Sequence, residues 1–133
     1  MAGELKKRVV VIGEDDEPIA TLMRDAINDE APYQSVVVSD GALVLETVRQ
    51  VRADLLILDI MMPGLSGFEV FDRVRADPEI RHMPVLFVSA ATNQHDGDFV
   101  ERGIKDVISK PFDLNDLLDR VRVLCPADDG GKG

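Results

Sequence analysis

The sequence predicts an α/β fold in which a mostly parallel sheet is covered by helices on both faces. Two observations carry this expectation. Five short apolar runs rich in β-branched residues read as buried strands: Val9 to Ile12, Val36 to Val38, Leu55 to Leu58, Val85 to Val88, and Val107 to Ile108. Between them lie stretches with helical spacing, so strand and helix alternate, and alternation implies right-handed crossovers between parallel strands. With 133 residues, the chain fits one domain of common size with a real core.

Each helix has its own signals. The first places Ile19, Leu22, Met23, Ala26 and Ile27 on one face, with Pro18 near its start, where a missing N–H costs little, and it should end before Pro32. The second follows the turn signal Asp40-Gly41 and gathers Val44, Leu45, Val48 and Val51. The third opens at Ser66 with Glu69 three residues on, a capping-box spacing, followed by Val70, Phe71 and Val74. A fourth, roughly Asp96 to Arg102, has only Phe99 and Val100 as anchors before Gly103. The fifth starts after Asp113, a good N-cap, and carries Leu114, Leu117, Leu118, Val121 and Leu124. One domain over residues 1–126 is expected, then a flexible, polar, glycine-rich tail over 127–133 that is too short for an output module.

Composition narrows the function. The chain is 45% hydrophobic and 30% charged, which is globular. No apolar run approaches the roughly 18 residues of a membrane span, and Val9 to Ile12 is too short for a signal-peptide core. No membrane partner is expected, and the single cysteine, Cys125, agrees with a reducing cytoplasm and reads as a small core or near-terminal thiol. A net charge of −10 argues against direct nucleic-acid binding, which needs a basic face to displace counterions. His82 and His95 are isolated and are expected to face solvent.

The chemistry is expected at the C-terminal edge of the sheet, where ligands of open parallel sheets collect. The first strand delivers Gly13 and then Glu14-Asp15-Asp16-Glu17 to that edge, the third Asp59, the fourth Ser89, and the fifth Lys110-Pro111. Converging carboxylates repel unless a cation sits among them, and hard oxygen ligands suit Mg²⁺. With its charge screened, one carboxylate can attack a phosphorus centre. Asp59 is the best candidate, because the run Leu55 to Leu58 would hold it rigidly while Met61-Met62-Pro63-Gly64 turns the chain away. A phosphoryl group there could pair with Lys110 and hydrogen-bond the Ser89 hydroxyl. Singly, each residue type is commonplace at a strand end; together, on four separate strands, they form a specific set.

The segments Gly13 to Pro18, Leu56 to Gly67, Val88-Ser89-Ala90 and Ser109-Lys110-Pro111-Phe112 resemble the response-regulator receiver domain of two-component signalling, with similarity from Arg8 to about Leu124. The resemblance implies a flavodoxin-like, doubly wound sheet of order 2-1-3-4-5 with five helices, and Asp59 as the phosphoacceptor. It implies Mg²⁺ held by the acidic loop, Asp59 and the backbone carbonyl of Met61. Glu14 and Asp15 are the preferred pair in that loop, with Asp15 and Asp16 as the alternative register. It further implies a histidine kinase or histidine phosphotransfer protein as donor, a cis peptide before Pro111 that aims Lys110 at the phosphate, and a sensing role for Ser89. Mg²⁺-assisted self-phosphorylation and self-dephosphorylation are expected, without turnover of a separate substrate. The signal is expected to pass to an unnamed downstream protein by protein–protein contact, without a fused output domain.

One departure is Val107, where many receivers carry a Tyr or Phe that swings inward on activation. It keeps a second reading in view, a degenerate receiver acting only as a binding module. A haloacid-dehalogenase-type hydrolase would want an acid two residues after the nucleophile, where this chain has Met61. A flavodoxin-like carrier would want a hydroxyl- or glycine-rich first loop, and an acidic one repels a cofactor phosphate.

Overall fold

The computed structural model describes residues 6–90 and 92–127. The elements run β1 (Arg8–Gly13), α1 (Glu17–Asn28), β2 (Tyr33–Val38), α2 (Gly41–Val51), β3 (Leu55–Leu58), α3 (Gly67–Ala76) and β4 (Val85–Ser89). A 3₁₀ turn (Asn93–His95), α4 (Asp96–Glu101), β5 (Val107–Ser109) and α5 (Leu114–Leu124) complete the chain. The five strands form one parallel sheet of order β2-β1-β3-β4-β5, as expected.

Each central strand feeds two separate cores. Val11, Leu56, Leu58, Val85 and Phe87 point to the face covered by α2, α3 and α4, while Val10, Ile12, Leu55, Ile57, Leu86 and Val88 point to the face covered by α1 and α5. That is why these strands read as unbroken apolar runs: a parallel strand buried on both sides has no polar face to alternate with. Phe87 is fully buried, with ring centroids of Phe68, Phe71 and Phe99 within 5.9 Å.

Local chemistry sets the helix starts. Asp16, Asp40, Ser66 and Asp113 each accept a backbone N–H of the first turn, and Ser66 with Glu69 completes the capping box. The X-Pro bonds before Pro32 and Pro111 are both cis; the second was expected from the family resemblance, the first was not.

Several expectations need correction. Strand β2 begins at Tyr33, three residues earlier than the apolar run suggests, because an edge strand tolerates Gln34 and Ser35, and Ser35 is tied to the carbonyl of Arg24 and the side chain of Asn28. Leu22 is 49% exposed: the inward stripe of α1 is Ala20, Met23 and Ile27, and Leu22 lines a shallow groove against Leu114 and Leu118 of α5. Val100 is 79% exposed, leaving Phe99 as the buried anchor of α4. His95 does not simply face solvent, since its ring lies 5.5 Å from that of Phe68 and its Nδ1 3.4 Å from Asp98. Ala127 packs on the α1/α5 core, so only residues 128–133 of the expected tail lie outside the described residues. Cys125 is a buried core thiol, as expected, and burial pushes it up to about 11.

Candidate functional site

Two backbone hydrogen bonds fix the acidic residues at the sheet edge. The Glu14 N–H donates to Val38 O, and the Asp59 N–H donates to Gly13 O, both at 3.0 Å, so the ladder continues one residue beyond each strand. Gly67 allows the loop after Asp59 to fold back. Its N–H donates to Ile60 O at 2.8 Å, and a Cβ at this position would collide with the carbonyl oxygen of Asp59. Gly64, with φ of 83°, supplies the left-handed turn that seats the loop beside Asp40.

The site brings together Glu14, Asp15, Asp59 and Lys110. One carboxylate oxygen from each of Glu14, Asp15 and Asp59 lies within 4.8 Å of the others. Glu14 and Asp59 are buried, whereas Asp15 opens to solvent. The Lys110 ammonium donates to Glu14 Oε1 at 2.7 Å and Asp59 Oδ2 at 3.0 Å. The other Glu14 oxygen accepts the Asp16 N–H at 3.1 Å, and Asp59 Oδ1 faces the Met61 N–H at 3.5 Å.

Asp16 itself is spent on α1, where its carboxylate accepts the Ile19 N–H at 3.2 Å, and it stands apart from the three-carboxylate group. Ser89 is buried at the end of β4, in register with Ser109, and its carbonyl accepts the Lys110 N–H at 3.0 Å. The backbone of β4 therefore steadies the residue whose side chain reaches the carboxylates.

Electrostatically the pocket is short of positive charge. Burial pushes the Glu14 carboxyl above its ordinary value, outweighing the opposing hydrogen bonds from Lys110 and Asp16, and the charge of Asp59 adds to the rise. For Lys110, burial alone would pull the ammonium down, but its bonds to Glu14 and Asp59 prevail and hold it above its ordinary value. Three carboxylates converge beside one ammonium, which bonds to two of them. A compact hard cation would relieve this imbalance, and carboxylate oxygens at this spacing are a donor set suited to Mg²⁺.

Gly67 ends the segment that carries the family resemblance, but its structural part and the surroundings of the pocket emerge only in the fold. A glycine directly after an N-cap serine is a poor helix former, and that was the available signal for a close backbone approach. Nothing in the linear pattern marks Thr92 and Arg102, which hold the segment following β4: the Thr92 and Ser109 hydroxyls lie 2.8 Å apart, and the Arg102 guanidinium forks onto Asp72 at 2.9 and 3.0 Å.

Comparison with known proteins agrees with this geometry. Residues 10–122 match the family model described as the response regulator receiver domain. The chain is 34% identical to the DNA-binding response regulator MtrA of Mycobacterium tuberculosis over 119 residues, which is 89% of this chain and 50% of MtrA, so the chain spans about half that relative's length. It is 32% identical to the polar-differentiation response regulator DivK of Brucella anthropi, across 85% of this chain and 92% of DivK. A putative response regulator from Chloroflexus aurantiacus superposes with a TM-score of 0.81 at 27% identity, covering 90% of this chain and 98% of that one. Receiver domains are signalling proteins of two-component systems that accept phosphoryl groups from histidine kinases or phosphotransfer proteins. They generally bind Mg²⁺ at an acidic pocket, and they do not turn over a separate substrate. Among the described residues no helix is long and apolar enough to cross a membrane. The chain belongs to the response regulator receiver domain family.

Proposed function

We infer that the protein is a phosphorylation-dependent switch in which Asp59 accepts the phosphoryl group. The observation that carries this reading is the position of Asp59, buried at the end of β3 with Lys110 Nζ 3.0 Å from one oxygen and the carboxylates of Glu14 and Asp15 converging beside it. Asp15, Asp59 and the Met61 carbonyl would hold Mg²⁺. Glu14 would stand beside them, since both of its oxygens already accept hydrogen bonds. When bound, the cation supplies charge neutralisation at the carboxylates and at the phosphoryl oxygens.

Transfer begins when an Asp59 carboxylate oxygen attacks the phosphorus of a phosphohistidine. The new bond is O–P; the bond broken is P–N, and the departing imidazole nitrogen keeps the electron pair. Lys110 is already on Asp59 and can follow the charge outward onto the phosphoryl oxygens. The Ser89 hydroxyl, held at the end of β4, is the candidate sensor of the new group. Hydrolysis reverses the state: water attacks the phosphorus, the O–P bond breaks, and inorganic phosphate leaves while the Asp59 carboxylate returns. The partners in this reading are proteins, a phosphohistidine donor on one side and a downstream receptor on the other, and the activity is cytoplasmic.

The test is beryllofluoride, which mimics the acyl phosphate, added with and without Mg²⁺ while amide shifts are followed. Mg²⁺-dependent shifts at residues 13–16, 59–61 and 110 are expected, and their absence in wild type, or their persistence in Asp59→Asn, would end this reading.

A further inference from the structure

We propose that Arg102 is the clasp of a resting-state lock that holds α4 against α3, and that modification of Asp59 signals by opening it. The trigger rests on the phosphoacceptor reading above, whereas the lock stands on geometry alone.

Helix α4 has six residues, one buried anchor in Phe99, and an almost fully exposed Val100. A helix of this length has no stability of its own and takes its position from tertiary contacts. Phe99 supplies the apolar contact, and polar side-chain ties to neighbouring elements lie at either end. Before the 3₁₀ turn, the Thr92 hydroxyl meets the Ser109 hydroxyl of β5 at 2.8 Å. After α4, Arg102 donates Nε and Nη2 to the two oxygens of Asp72 on α3, at 2.9 and 3.0 Å, and Nη1 to Asp98 at 3.2 Å.

An exposed ion pair alone would contribute little. This one is bidentate, shared between two carboxylates, and lies 4.8 Å over the ring of Phe68. Phe68 also meets the rings of His95, Phe99 and Phe87 at 5.5, 5.2 and 5.5 Å, so one side chain of α3 touches the start, the anchor and the end of the α4 segment.

Phe68 connects this segment to the pocket. It follows Gly67, the residue pressed against the carbonyl of Asp59 and bonded to Ile60. From the other direction, Thr92 lies three residues beyond Ser89, so a chain drawn toward a phosphoryl group at Ser89 pulls directly on the Thr92–Ser109 contact. Val107, part-buried against the same core, offers no ring to move. The two positions of the segment are then set by the clasp: docked with Arg102 on Asp72, or released with the α4 face rearranged. Any change that weakens the clasp biases the equilibrium the way phosphorylation does, and by reciprocity it tightens binding of the phosphoryl mimic.

The experiment compares the full chain with Arg102→Gln and Asp72→Asn. Hydrogen exchange by mass spectrometry is measured over residues 92–102, and beryllofluoride affinity is measured in Mg²⁺. The lock predicts faster exchange over 92–102 in both unmodified variants, the same acceleration in wild type once the mimic binds, and mimic affinity tightened by about fivefold in the variants. Exchange in the variants equal to wild type, or mimic binding no tighter than wild type, overturns the lock. If wild type fails to bind the mimic at all, the phosphoacceptor reading falls, and the exchange of the unmodified variants still decides the clasp.

Discussion

Lys110 Nζ lies 2.7 Å from Glu14 Oε1, an ion pair that spans the sheet edge from the end of β5 to the end of β1. The Glu14 side chain is 1% exposed and that of Lys110 13%, so the pair is largely desolvated. Removing Lys110 leaves the buried carboxylates of Glu14 and Asp59 without their ammonium, whereas without Glu14 the ammonium would keep Asp59. Lys110→Ala is expected to keep the secondary structure but lose about 3 kcal/mol of stability without Mg²⁺, and adding Mg²⁺ should restore part of it. Thermal unfolding followed by circular dichroism, with Mg²⁺ and with a chelator, measures both effects.

Glu14→Gln should act in the opposite direction. Burial raises the Glu14 carboxyl above its ordinary value, so its stabilising contribution is present at low pH and is lost as pH rises through the raised folded value. Once ionised, the buried carboxylate is a cost, and the Gln variant in chelator should melt no lower than wild type while gaining less from Mg²⁺. A variant that melts well below wild type would show that the Lys110 bond outweighs the burial.

The acidic loop divides its labour between neighbours. Asp16 caps α1, so Asp16→Ala should cost about 1 kcal/mol and leave Mg²⁺ affinity within about twofold. Asp15→Asn should keep the stability and lose most of the Mg²⁺ response, and calorimetric titration of the two variants separates the roles.

Cys125 gives a pH signature on the far side of the molecule. Burial raises its thiol from an ordinary value near 9.0 to about 11. A raised folded value means that the contribution is intact below about 9 and lost as pH climbs through about 11. Unfolding midpoints should fall across that window with a slope that Cys125→Ala reduces, and native protein at pH 8 should alkylate far more slowly than protein in urea.

Much of this was legible in the sequence because each signal had a local cause. Leu55 to Leu58 reads as a strand since both of its faces are buried, and Ser66 with Glu69 marks a helix start through hydrogen bonds that span only three residues. Glu14, Asp59, Ser89 and Lys110 can be placed at one edge from the sequence because a parallel sheet sends every strand end there. What stayed hidden depends on partners distant in the chain. Leu22 looks like a core residue until the packing of α1 beside α5 leaves it lining their shared groove. His95 looks isolated until Phe68, twenty-seven positions earlier, comes under its ring. Arg102 and Asp72 are separated by thirty residues, and no spacing rule pairs them.

The most direct test of the central claim is the mass of the intact protein after incubation with acetyl phosphate. With Mg²⁺, wild type should gain one phosphoryl group, mapped to Asp59 by peptide analysis after borohydride trapping, while chelator or Asp59→Asn should leave the mass unchanged. Equal incorporation in wild type and Asp59→Asn, or none in wild type with Mg²⁺ present, would contradict the account.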